Sequence, residues 1–169
     1  LADQNGPNQA DEKGLDLLKG IGAVLLGKST DAETMTLIEQ QNELISDLNL
    51  IEDAHERLSA LTSYVSRTKL PDDMKSDELI VSGCISRVWV KGELKDGLTR
   101  FYCAADSPMV AGLVALLCDL YSGVTSQEAA EIEPEVWQKC GFLKILTPTR
   151  LNGLSAVRGR IKELSLNWC

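Results

Sequence analysis

Five cysteines (Cys84, Cys103, Cys118, Cys140 and Cys169) and a single histidine, His55, hold most of the chemistry that 169 residues could offer. No C-x-x-C pair occurs, and a zinc site needs about four N or S ligands in close groups, so zinc chemistry is not on offer. An odd number of cysteines at irregular spacing argues equally against a disulfide framework. His55 lies in Ala54-His55-Glu56-Arg57-Leu58, where it reads as an exposed helix position rather than half of a Cys–His dyad. No G-x-S-x-G elbow is present for a serine hydrolase. A lone thiol, carboxylates or a bound nucleotide remain.

The nucleotide option rests on Gly22-Ala-Val-Leu-Leu-Gly27-Lys28-Ser29, which matches G-x-x-x-x-G-K-S letter for letter. Backbone amides would cradle phosphates, Lys28 would reach the terminal ones and Ser29 would hold Mg²⁺. The residues between the glycines are bulky and apolar, however, and the strand–helix alternation of a phosphate-loop fold is missing. An apolar N-terminal arm or helix is the better reading.

Cys84 has the most distinctive setting of the five thiols. It follows Gly83, which permits a sharp bend and leaves room beside the sulfur, and it precedes a β-branched stretch, so it belongs to a tight loop at a sheet edge. Arg87 lies three residues on, and a nearby cation would favour the thiolate. Cys103, Cys118 and Cys140 lie in apolar segments and read as small buried hydrophobes; Cys169 is terminal. On local spacing alone, Cys84 stands between a reactive thiol and another buried hydrophobe.

The elements that would position this loop can be read from periodicity. Thr30-Asp-Ala-Glu33 has the form of a capping box, and Leu37, Ile38, Gln41, Leu44, Ile45 and Leu48 follow at helical spacing. A second helical stretch runs from Ile51 to Val65 and ends before Pro71. Leu79 to Val81, Ser86 to Val90 and Leu98 to Cys103 read as three short strands, the last two joined by a hairpin at Lys95-Asp96-Gly97. Ser107-Pro108 opens an almost wholly apolar helix, Thr125 to Glu128 is another capping box, a short helix lies near Pro134 to Cys140, and a last one spans about Leu151 to Leu166. The fold class is α+β: N-terminal helices, a small antiparallel sheet of about three strands, and C-terminal helices packed on one sheet face.

Composition narrows the partners. Seventeen basic residues against 25 acidic ones give a net charge of −8, which argues against nucleic acid, since phosphate binders concentrate Lys and Arg. The longest apolar run, Val110 to Cys118, is far short of the roughly 20 residues that cross a membrane. The first fourteen residues resemble neither a signal nor a transit peptide. A cytoplasmic location is expected, or an organellar stroma or matrix for a eukaryotic source.

Gly83-Cys84-x-Ser86-x-Val88-Trp89 resembles the G-C-x-S-x-V-W motif of the SufE family, sulfur acceptors that work with cysteine desulfurases. Ala105-Asp106-Ser107-Pro108-Met109-Val110-Ala111-Gly112-Leu113 is similar to the family's segment entering its central helix. Leu146-Thr147-Pro148-Thr149-Arg150-Leu151-Asn152-Gly153-Leu154 is similar to its L-[ST]-P-[ST]-R-x-x-G-L before the last helix. The resemblance implies a SufE-like domain over 35–169 with an N-terminal extension over 1–34. It implies Cys84 as persulfide acceptor, on a loop that tucks its sulfur into an apolar recess and swings out on docking. Arg150 would orient the thiolate or a partner, with a helix-entry salt bridge as its alternative role. Gly83, Ser86, Arg87 and Asp106 would support the loop or the partner surface, Asp106 chiefly as a helix-dipole partner. A cysteine desulfurase, which owns the PLP, and an Fe–S assembly scaffold are the implied partners; no bound cofactor or metal is expected, and the chain would be a monomer or weak homodimer. A non-catalytic binding module of the same fold is the rival reading.

Overall fold

The computed structural model describes residues 34–169. The apolar arm, the phosphate-loop pattern at Gly22–Ser29 and the capping box expected at Thr30–Glu33 lie outside them. The first described helix, α1 (Leu37–Leu48), has a different capping box. Thr36 Oγ1 accepts from Glu39 N at 3.2 Å, and Glu39 Oε2 accepts from Thr36 N at 2.8 Å. Two orphan amides at the helix start are thereby satisfied. The face of α1 that carries Leu37, Gln41, Leu44, Ile45 and Leu48 is buried, as its spacing demands.

The second helical stretch is α2 (Ala54–Ala60) tightening into a 3₁₀ turn at Leu61–Tyr64. Arg57 of α2 ties the surrounding loops together. Its guanidinium donates to the carbonyls of Ile51 (2.6 Å), Glu52 (3.0 Å) and Cys140 (3.0 Å).

Strands β1 (Val88–Lys95) and β2 (Leu98–Ala105) form an antiparallel hairpin in register from Val88↔Ala105 to Lys95↔Leu98. Asp96 and Gly97 both have positive φ, 53° and 78°, the backbone a two-residue turn of matching twist requires. The expected third strand is reduced to a bridge between Ile80 and Trp89, with Val81 N donating to Val88 O at 2.9 Å. A 3₁₀ turn at Asp77–Leu79 and the bend at Gly83 leave only Ile80 and Val81 extended alongside β1. Along β2 the residues Thr99, Phe101 and Cys103 point inward in strict alternation.

Against the sheet packs α3 (Pro108–Leu120), buried almost all round from Gly112 onward. Gly112 lets the Leu61 backbone approach; a Cβ there would lie 3.3 Å from Leu61 C. Two short helices follow, α4 (Ser126–Glu131), with its Thr125–Glu128 capping box, and α5 (Val136–Lys139). The long α6 (Pro148–Leu166) begins a turn earlier than periodicity indicates, because Thr147 caps it and Pro148 fits the first position. Buried Arg158 fastens α6 to the chain leaving α4, donating to the carbonyls of Ala129, Ala130 and Ile132 at 2.8–3.3 Å. Its guanidinium also stacks 4.5 Å from the Tyr121 ring.

Gly92 is closely packed against Phe101 of the hairpin, Leu164 of α6 and Trp168 just beyond that helix. A Cβ there would sit 2.8 Å from Trp168 Cη2 and 2.9 Å from Phe101 Cε1. Gly92→Ala is therefore expected to cost about 1–3 kcal/mol of stability, the usual penalty of overpacking, as read from urea unfolding. Unchanged stability would contradict this packing.

Candidate functional site

The Cys84 loop leaves β1 in reverse and lies down on α6. Gly83 sits at φ +97°, a left-handed conformation that side chains rarely adopt, and a Cβ at Gly83 would lie 3.4 Å from Ala156 Cβ. A Cβ at Gly153, one turn earlier on α6, would meet Cys84 Sγ at 3.5 Å. Loop and helix thus lie in van der Waals range of one another. Cys84 itself is half-buried, and its thiol donates to the Gly153 carbonyl at 3.5 Å.

The loop's neighbour is a cavity of about 300 Å³, framed by three elements. The loop contributes Cys84, Ile85 and Ser86; the start of α3 contributes Ser107, Val110 and Leu113. The start of α6 adds Thr147, Thr149, Arg150 and Gly153. Walls are therefore apolar toward the core and polar at the rim. Ile85 projects into solvent with 86% of its surface exposed.

Of the residues singled out by sequence, Cys84, Ser86 and Arg150 are brought together on this cavity, and Gly83 shapes the loop. Arg150 makes no ion pair and no side-chain hydrogen bond among the described residues, so the helix-entry salt bridge does not form. Arg87 and Asp106 face each other instead, with Nε to Oδ2 at 2.8 Å, and Asp106 N donates to Arg87 O at 3.1 Å. This exposed pair is worth little energetically but closes the far end of the loop. The Arg87 guanidinium lies 5.5 Å from the ring of Trp89, whose other neighbour is Lys75 Nζ at 4.9 Å.

The expectation that Arg87 favours the thiolate is corrected here. Burial pushes the Cys84 thiol up from its ordinary value, and no cation among the described residues offsets it; Arg87 is committed to Asp106. A carbonyl acceptor also favours S–H over S⁻. Ser107 holds the N-cap position of α3, but its hydroxyl makes no capping hydrogen bond. Gly153 went unassigned in sequence, although it stands in the L-T-P-T-R-L-N-G-L block three residues after Arg150. Its role depends on which turn of α6 the loop crosses, which spacing does not specify.

The other thiols are set apart. Cys103, Cys118 and Cys140 are buried, and Cys169 is exposed. Cys103 shares a hydrogen bond with Thr68 at 3.5 Å, and burial pushes Cys140 up to about 11. His55 is exposed on α2.

A raised thiol pKa means that the fold holds the Cys84 proton. Its stabilising contribution is complete below the unfolded thiol's pKa and is lost as pH rises through the higher folded value. Alkylation of Cys84 by iodoacetamide should therefore show a pH midpoint above that of the urea-unfolded chain, and Arg87→Ala should leave it in place. A folded midpoint at or below the unfolded one would contradict the geometry.

Residues 42–165 match the family model SufE, described as an Fe-S metabolism associated domain. The chain is 38% identical to an uncharacterized SufE-like protein of Synechocystis over 43% of its own length, spanning only 46% of that relative. It is 32% identical to a SufE-like protein of Rhizobium meliloti (56% of this chain, 71% of that one) and 28% identical to one of Rhizobium etli (72% and 86%). In fold it is similar to the solution structure of a hypothetical protein from Thermus thermophilus, with a TM-score of 0.62 at 20% identity over 75% of this chain and 93% of that one. With more than half of its length matched by the family model, the chain belongs to the SufE family, whose domain is associated with Fe–S metabolism.

Proposed function

We propose that the protein is a sulfur carrier: it accepts sulfane sulfur on Cys84 from the persulfide of a cysteine desulfurase, stimulates that enzyme, and hands the sulfur to an Fe–S assembly scaffold. The observation that carries this reading is the cavity beside the thiol. About 300 Å³ of mostly apolar space opens onto Cys84, ample for one more sulfur atom.

The transfer is a thiol exchange. The Cys84 thiolate attacks the terminal sulfur of the donor persulfide; the new Sγ–S bond forms as the donor's S–S bond breaks, and the electron pair leaves on the donor's thiolate. One thiol suffices, in keeping with the absence of a C-x-x-C pair. At rest the seat on α6 favours the protonated form, so the sulfur is stored rather than poised. Lifting the loop off Gly153 removes both burial and the carbonyl acceptor, and the thiol then ionises more easily. A partner that draws the loop outward would activate the nucleophile by that movement alone.

Mass analysis of the intact chain after incubation with a cysteine desulfurase and cysteine tests this. The parent chain, Cys103→Ser and Cys140→Ser should each gain a sulfur atom, and Cys84→Ser should gain none. A gain that survives Cys84→Ser would overturn the assignment.

A further inference from the structure

Among the described residues, the lining of the cavity beside Cys84 contains no aspartate or glutamate, in a chain with 25 of them. Cys84 donates to Gly153 O and Thr147 Oγ1 accepts from Arg150 N, but the Arg150, Ser107 and Thr149 side chains make no hydrogen bond or ion pair among the described residues. Arg150 occupies the third position of α6, where the helix dipole already presents positive charge and disfavours a cation. No carboxylate among the described residues answers it: the first turns of α3 and α6 contain no acidic residue, and Asp106, next to Ser107, is held by Arg87 at 2.8 Å. The Ser107 hydroxyl stands at an N-cap position without capping, and Thr149 lies at the same rim. A local rule broken without compensation marks a site whose missing partner is a ligand, and here that partner is an anion.

We infer that the cavity accepts a low-molecular-weight anion carrying sulfane sulfur, its oxyanion group held by Arg150 with the Ser107 and Thr149 hydroxyls and its transferable sulfur directed at Cys84. This rests on the preceding reading for Cys84 as acceptor, and extends it from a protein-borne persulfide to a small-molecule donor. The volume lies at the lower end of the range for ligand pockets, about 300–1,000 Å³, which gives a small donor room and excludes a large one. Oxyanions meeting this description are sulfonates, as in thiosulfate, and carboxylates, as in cysteine persulfide.

With thiosulfate, the thiol first loses its proton to solvent. Sγ attacks the outer sulfur; the Sγ–S bond forms while the bond to the sulfonate sulfur breaks, and its electron pair leaves on sulfite. The cysteine sulfur is oxidised to the persulfide level and the sulfonate sulfur is reduced to sulfite, so no external oxidant is needed.

The full chain is incubated separately with thiosulfate and with cysteine persulfide, and sulfur gain is followed by intact mass. At least one anion should load Cys84, with the rate falling about tenfold in Arg150→Gln, the scale of a charge-assisted hydrogen bond, and partly restored in Arg150→Lys. As a readout independent of sulfur chemistry, the ratio of Cys84 alkylation by iodoacetate to that by iodoacetamide should fall several-fold in Arg150→Gln. Failure of both anions to load Cys84, or equal rates in the parent and Arg150→Gln, would overturn the inference. If a desulfurase loads the chain while neither anion does, this inference fails and the carrier reading stands; if nothing loads Cys84, both fail.

Discussion

A thiol resting against a helix carbonyl governs the behaviour of this site. Cys84 Sγ donates to Gly153 O at 3.5 Å, with the sulfur so near the helix backbone that a Cβ at Gly153 would lie in van der Waals contact with it, 3.5 Å away. The same contact that shelters the sulfur also keeps it protonated, since a carbonyl accepts from S–H and repels S⁻. On the proposed function, storage and reactivity are opposed in this one position, and the loop would have to leave the helix to exchange one for the other. The bulk of the fold serves to make that seat firm.

Firmness comes from groups well away from the sulfur. Arg158 and Arg57 each gather three backbone carbonyls, fixing α6 to α4 and α2 to the loop after α5. The apolar α3 fills the space between hairpin and helices. The Cys84 loop is tied at its two ends, by Val81 N to Val88 O and by the Arg87–Asp106 pair. Between those ties Ile85 stands almost fully in solvent. On the proposed function, this exposed apolar side chain beside the half-buried thiol would give a partner something to grip.

Much of this architecture was legible in the sequence, and the exceptions have physical causes. The Asp96-Gly97 turn, the apolar α3 and the Thr125–Glu128 capping box follow from local rules, and the structure bears them out. The third strand did not, because β-branched residues at Leu79–Val81 satisfy a strand pattern while the flanking turns limit pairing to a single bridge. Cys84 could be singled out from Gly83 and the motif around it. The relation between Arg87 and the thiol could not, because spacing of three residues says nothing about Asp106, nineteen positions on, which takes the guanidinium. Gly153 and Ser107 belong to the cavity only through the crossing of loop, α3 and α6, and tertiary relations of that kind leave no local signature.

Hydrogen exchange of the free chain tests most directly whether the seat opens while the scaffold holds. The amides of residues 82–87 should exchange much faster than those of the Val88–Lys95 ladder, with α6 around Gly153 remaining protected. Protection of the Cys84 loop equal to that of the hairpin would mean that the sulfur is locked in place, and the carrier account would be wrong.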